Sequence, residues 1–248
     1  MKIKDAYIGE NKIARAYQGG DIIHPSPVMD GLVLWYDFMG RTNSDAQRAV
    51  AEDLSGNGNH GELVNFAFEE GSGYVEGYGN SGGVNFDGVD DLVFIGNPPT
   101  LENIQSMSLE LTFTTGSIST WQRLIDKNWS FFSLALWSDD RLNVNIGGLA
   151  SPNNFSVRNL KKNTQYHVVA TFDFASQTLS LFINAKADFI RDAPGRLNYS
   201  RVNLIIGAMN PAAQVFAGRI SSARIYNRAL TEQEIQHNFE MEKERWGI

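Results

Sequence analysis

The stretch Ser108-Leu109-Glu110-Leu111-Thr112-Phe113-Thr114 alternates polar and apolar residues over its whole length. Side chains along a strand point to opposite faces with a period of two, so this pattern predicts a strand with one face on a core. Outward from it, Gly31-Leu32-Val33-Leu34-Trp35-Tyr36-Asp37 reads as an apolar opening strand. Further strands are predicted over Phe131–Trp137, Leu142–Ile146, Tyr166–Phe172, Thr178–Asn184, Asn203–Gly207 and Ala217–Tyr226. The turn-rich segments Ser138-Asp139-Asp140, Ser151-Pro152-Asn153-Asn154 and Phe174-Ala175-Ser176-Gln177 separate them. Many short strands without intervening helices predict an all-β, two-sheet antiparallel sandwich rather than a parallel α/β fold.

Composition agrees with one such domain. The 248 residues are 42% hydrophobic and 20% charged, enough apolar material for a core and too little charge for a disordered chain. The formal net charge of −7 repels a phosphate backbone, and no dense Lys/Arg stripe offsets it. Nucleic acid is excluded as an expected partner. With no cysteine, disulfides, thiolate metal sites and cysteine nucleophiles are excluded together. No apolar run approaches the roughly 18–20 residues of a membrane span. Met1-Lys2-Ile3-Lys4-Asp5 lacks the apolar segment of a signal peptide, so the expectation is folding in a reducing cytosol.

The two ends carry their own patterns. Ala6-Tyr7-Ile8-Gly9-Glu10-Asn11-Lys12-Ile13 is echoed by Ala16-Tyr17-Gln18-Gly19-Gly20-Asp21-Ile22-Ile23, each copy a strand, tight turn and strand. A small meander of two or three strands is predicted, closed by His24-Pro25-Ser26-Pro27. It either covers an edge of the sandwich or docks on another protein. Residues 1–27 are therefore taken as a β-repeat docking segment with linker, and 28–248 as the sandwich. At the other end, Thr231 and Glu234 form a capping box and Leu230 and Ile235 a hydrophobic staple. A helix follows, with Ile235 and Phe239 on one face toward the sandwich.

Four ordered segments resemble the concanavalin-A-like superfamily, in its laminin-G/pentraxin-like branch. They are Asp53-Leu54-Ser55-Gly56-Asn57-Gly58-Asn59-His60-Gly61 and Val84-Asn85-Phe86-Asp87-Gly88-Val89-Asp90-Asp91. Tyr166-His167-Val168-Val169-Ala170-Thr171-Phe172-Asp173 and the segment from Phe216-Ala217-Gly218-Arg219-Ile220 to Tyr226-Asn227-Arg228-Ala229-Leu230 complete the set. The resemblance covers about Gly31 to Phe239 and implies a jelly-roll sandwich with a short N-terminal β-meander and a C-terminal helix. The N-terminal Tyr-x-Gly repeat is similar to the start of bacteriophage tail or other virion proteins. That resemblance implies a tail or capsid appendage of a virion, folded in the host cytosol and released by lysis. It would dock on other virion proteins through residues 1–27 and bind host-surface carbohydrate. A structural decoration protein without a glycan ligand is the alternative, and homo-oligomer formation is left open.

Chemistry is harder to find in the sequence. The superfamily includes glycoside hydrolases, whose retaining members place two carboxylates about 5–5.5 Å apart. On a strand this reads Glu-x-Asp-x-x-Glu. Here only Glu110 is acidic, with Thr112 and Thr114 beside it. His24, His60, His167 and His237 show no zinc or triad spacing. The expectation is a non-catalytic binding protein, with a hydrolase or lyase of the same fold as the outside alternative. Sugar rings stack on exposed aromatics with a polar rim, which makes Trp121, Trp129, Trp137, Tyr74 and Tyr78 the candidate platform. Calcium takes oxygen ligands, and Asp53, Asn57, Asp87, Asp90 and Asp91 supply them. The competing reading is an Asx turn at Asp53 and a hairpin at Asp87-Gly88.

Overall fold

The computed structural model describes residues 26–75, 82–116, 120–128, 130–199, 201–209 and 213–246, with four short strands nearer the N-terminus. Those four are β1 (Tyr7–Ile8), β2 (Asn11–Lys12), β3 (Tyr17–Gln18) and β4 (Asp21–Ile22). The sandwich opens with β5 (Leu32–Asp37), β6 (Val50–Ala51), β7 (Gly61–Val64), β8 (Gly73–Val75), β9 (Gly83–Asp87) and β10 (Leu92–Gly96). Its centre is β11 (Met107–Thr115), β12 (Gln122–Asp126), β13 (Phe132–Leu136), β14 (Arg141–Ile146) and β15 (Asn153–Asn159). It closes with β16 (Gln165–Asp173), β17 (Thr178–Ile183), β18 (Lys186–Asp192), β19 (Leu204–Ile206), β20 (Ala217–Tyr226) and the helix α1 (Glu232–Trp246).

Two antiparallel sheets face each other. The first runs β15-β14-β13-β12-β19-β10-β7-β6, and the second β18-β17-β16-β11-β20-β9-β8. The long strand β20 serves two neighbours on one edge, pairing β9 through Ala217–Ile220 and β5 through Ser222–Tyr226. Alternation places Leu109, Leu111 and Phe113 of β11 in the core with Val168, Ala170 and Phe172 of β16, opposite Leu134, Leu142 and Val144 of the first sheet. Truncating a ring such as the fully buried Phe113 to alanine costs about 3–5 kcal/mol.

One part of the strand reading is corrected. The polar face of β11 does not meet water: Ser108, Glu110 and Thr112 are as buried as the apolar face. The cause is α1, which lies across the outer face of the second sheet. Its start is the expected capping box, with the Thr231 amide donating to Glu234 Oε2 at 2.9 Å and the Glu234 amide to Thr231 Oγ1 at 3.3 Å. Leu230 and Ile235 pack together with Trp35 and Tyr226, as the staple requires.

Each copy of the N-terminal repeat forms the expected antiparallel strand pair, but the two are not joined into one meander. β1–β2 and β3–β4 are two separate two-stranded sheets, with Tyr7 opposite Lys12 and Tyr17 opposite Ile22. Two-residue strands are too short to extend a ladder into a meander. Among the described residues, no helix is long and apolar enough to cross a membrane.

Candidate functional site

The outer face of the first sheet carries an unusual floor. Leu134, Leu136, Leu142 and Val144 point into the core, so their strand neighbours point away from it. Register aligns these neighbours in two rows across four strands. One row is Asp126, Ser133, Asn145 and Asn153; the other is Arg123, Ala135, Asn143 and Phe155. A bulge between Arg123 and Ile125 turns both Leu124 and Ile125 inward, and so returns Asp126 to the outer face.

Within these rows, Arg123 donates to Ser133 Oγ at 2.6 Å and to Gln214 Oε1 at 2.7 Å. Asn145 Nδ2 donates to Asn153 Oδ1 at 3.0 Å. Asn143 Nδ2 and Asn145 Oδ1 make no hydrogen bond, and Asp126 Oδ1 has only an ion pair with Arg123; all three side chains are no more than 3% exposed. A buried polar group left unsatisfied costs about 1–3 kcal/mol, so two on one face are a notable feature of this sheet. Burial raises the Asp126 carboxyl, opposed by the Arg123 guanidinium 3.5 Å away.

An aromatic cluster stands at one end of these rows. Trp121 and Trp137, both partly exposed, lie against each other with ring centroids 3.4 Å apart. Phe155 meets Trp137 edge-on at 4.9 Å, and the Arg141 guanidinium sits 4.9 Å from the Phe155 centroid. The structure thus brings together two of the expected aromatics and adds Phe155 and the asparagines, which the sequence reading missed. Register between β14 and β15 aligns them, whereas Ser151–Asn154 carries only turn residues in the sequence. Tyr74 is corrected: it is 4% exposed, in the core against Phe38 and Phe68, with its hydroxyl donating to Arg48 O. Trp129 and Tyr78 lie outside the described residues.

The oxygen-rich residues separate into two places. Asp53 accepts four hydrogen bonds, from the Trp35 and Ser55 amides, the Ser55 hydroxyl and the Asn59 amide. That uses the roughly four lone-pair sites of a carboxylate. Asn57 Nδ2 holds the carbonyls of Leu32 and Val33, so this loop pins β5. Asp87, Asp90 and Asp91 instead bring carboxylate oxygens within 4.8 Å of one another. Such a hard-oxygen set fits a calcium ion in kind. Burial pushes the Asp91 carboxyl up to about 6, against the Asp87 amide and Ser72 hydroxyl that donate to it.

Glu110 sits in neither place. It is sealed under α1, taking hydrogen bonds from His167 at 2.9 Å, Arg224 at 2.5 Å and Asn238 at 2.7 Å. Arg224 also grips Glu242, which accepts from Thr112 and Ser222. Burial alone would raise the Glu110 carboxyl, but Arg224, His167 and Asn238 outweigh it and hold it down at about 2. Glu110 ties helix to sheet. His237 reaches Ser26 O, and His60 receives the Asp53 amide, so these two also hold the fold.

Two antiparallel sheets closed by a helix on one outer face, with aromatic and amide groups on the other, define a lectin-type jelly-roll sandwich. The family of the concanavalin A-like lectin/glucanases superfamily called Laminin_G_3 matches residues 86–236, well over half of the chain, and the chain belongs to it. No curated protein sequence matches. Among solved structures, the binding domain of Paraclostridial Mosquitocidal Protein 1 is similar at TM-score 0.64 and 14% identity, over 85% of this chain and 52% of that one. A Trypanosoma rangeli sialidase, complexed with a difluoro sugar acid, is similar at TM-score 0.60 and 16% identity, over 92% of this chain and 35% of that one. A Bacteroides ovatus protein proposed to bind carbohydrate gives 0.54 and 18%, over 67% of this chain and 47% of that one. The chain therefore spans from about a third to about half of the length of these structures.

At such identities the likeness carries the fold. It also overturns the exclusion of catalysis drawn from the missing strand acids. The fold lies within sialidase chains, so the absence of one acid pattern on one strand does not remove the protein from the enzymes.

Proposed function

We propose that the sandwich binds carbohydrate on the outer face of β12–β15. The observation that carries this reading is the juxtaposition of the partly exposed Trp121–Trp137–Phe155 cluster with the exposed Asn153 amide on the same face of β15. A sugar offers an apolar ring face for the first and hydroxyls, which both donate and accept, for the second. The similarity to the Bacteroides ovatus protein supports the ligand class.

The test is a glycan panel probed with the full chain and with Trp137→Ala, while sugar release is followed in the same samples. Saturable glycan binding that Trp137→Ala weakens at least about tenfold is expected, the loss of one good stacking and hydrogen-bonding contact. A panel with no bound glycan, or equal binding by the variant, sinks the assignment. Released sugar would add a catalytic step to the binding.

For the biological setting, we read the chain as a bacteriophage virion appendage, tail or capsid, that presents the sandwich to a host surface. The support is the duplicated strand pair β1–β2 and β3–β4, read as docking on other virion proteins. Calcium belongs to the same proposal at Asp87, Asp90 and Asp91, where it would gather three carboxylates.

A further inference from the structure

A second place in the molecule has the shape of a ligand site and lies away from the Trp137 face. It is a cleft of about 460 Å³ where the loops around residues 103–105 and 196–199 meet Phe131. Phe131 precedes β13 and Trp137 follows it, so the two sites are separated by the length of that strand, about 17 Å. Apolar groups line part of the cleft: Ile104 and Leu197 are partly buried and Phe131 fully so. Gln105, Arg196, Asn198 and Tyr199 line the rest and are exposed. Ligand sites commonly combine an apolar lining with a few convergent polar groups.

Tyr199 is the exposed aromatic of this cleft, with 41% of its surface open. It is nonetheless held in place. Its ring stands edge-on to Phe131 at 6.5 Å, and its hydroxyl donates to Glu102 Oε1 at 2.7 Å. A ring fixed before binding loses little freedom when a ligand stacks on it.

Arg196 is the charged residue that lines the cleft, a cation in a chain that carries −7 overall. Arg196 makes no ion pair among the described residues. Lys127 sits below, its amine donating to Asn97 Oδ1 and Val202 O, 5.9 Å from the Phe131 ring centroid. Glu102 accepts from the Tyr199 hydroxyl and so holds the ring's far end in place. A guanidinium presents a planar fork of donors that matches a carboxylate in two parallel hydrogen bonds.

We infer that this cleft is a separate subsite for a carboxylate-bearing sugar, with Tyr199 stacking on the ring, Arg196 pairing with the carboxylate, and Asn198 and Gln105 meeting hydroxyls. The inference rests on the carbohydrate reading of the sandwich, but at different residues. The acid could come from a hexuronate or from a nonulosonate such as sialic acid, which share this chemistry.

Calorimetric titration of the full chain with an oligouronate, a sialylated oligosaccharide and a neutral oligosaccharide tests it. At least one acidic ligand should bind, more weakly as salt rises. Arg196→Gln should weaken that ligand at least about tenfold, as the loss of a charge-assisted contact does, and leave the neutral ligand unchanged. Tyr199→Ala should weaken the acidic ligand too, whereas Trp137→Ala should not. Both cleft residues are exposed, and unchanged melting temperatures will show that the variants fold. The arm that binds names the source of the carboxylate. Failure of both acidic ligands, or their equal binding by Arg196→Gln and Tyr199→Ala, overturns the subsite while leaving neutral binding at Trp137 standing. Acidic binding that survives Trp137→Ala beside no neutral binding would sink the first site and keep this one.

Discussion

Glu110 keeps its charge where no water reaches it, and three donors make that tolerable. Removing the charge with Glu110→Gln leaves Arg224 to a single carboxylate, and breaking such a buried pair costs on the order of 3–5 kcal/mol. Urea unfolding at pH 7 should show a loss of that size; a loss below about 1 kcal/mol would place the stability elsewhere. The pH dependence has a definite sign. The folded carboxyl is depressed from its ordinary 4.5 to about 2, so its contribution is complete above 4.5 and vanishes as pH falls through about 2. The gap between wild type and variant should close over that window. Asp91 behaves oppositely. Its folded value is raised from 3.8 to about 6, so stability is lower above pH 6 and recovers as the pH falls toward 3.8. Asp91→Asn should flatten that slope. A calcium ion among Asp87, Asp90 and Asp91 would compete with the proton. Added calcium should then bring the Asp91 midpoint, followed by NMR, below 6 and raise the melting temperature. An unmoved midpoint means the trio holds no calcium.

At the scale of elements, α1 depends on its first turn and on what it covers. Thr231→Ala removes the acceptor for the Glu234 amide and should cost about 1 kcal/mol in thermal unfolding, with no change in glycan binding. A backbone position after β19 is stricter. Gly207 has φ +87, and a Cβ there would come within 2.2 Å of the Phe86 ring, so Gly207→Ala should destabilise by roughly 1–3 kcal/mol or more. How much of this was legible varies by element. The alternation of β11 and the Thr231/Glu234 box were written locally and could be read. The buried face of α1 was not, because Asn238 and Glu242 look like solvent residues until Glu110 and Arg224, more than a hundred residues apart, are placed beneath them. β15 and β18 were missed for a similar reason. Their amphipathic pattern is interrupted by charge, and Asp188 of β18 uses that charge to bind the Val157 and Arg158 amides of β15. That contact covers backbone donors that would otherwise invite a foreign strand. The candidate platform was half legible. Aromatic identity pointed to Trp121 and Trp137, while Asn143, Asn145 and Tyr199 became meaningful only through register and burial.

For the whole molecule, the boundary between the N-terminal strand pairs and the sandwich can be placed by contacts rather than by the prolines. Pro27 is buried, Ser26 O accepts from His237 Nε2, and the Val28 amide donates to Asn238 Oδ1. Asn238 is itself bonded to Glu110 and Tyr226, so the chain around 26–28 is wired into the network under α1. β1–β2 and β3–β4, by contrast, join neither sandwich sheet. Truncation of residues 1–25 removes no strand of either sandwich sheet and should leave unfolding within about 0.5 kcal/mol of the full chain. Removal through Val28 should cost more, on the order of 1–2 kcal/mol, because it strips a partner from a buried amide oxygen. The same pair of truncations separates the roles of the two parts. If the strand pairs dock the chain on a particle, the 1–25 truncation should keep full glycan affinity and fail to co-purify with particles assembled in its presence. Incorporation equal to that of the full chain would remove the docking role from the strand pairs. Loss of glycan affinity in the same truncation would mean that the N-terminal segment is part of the binding surface instead.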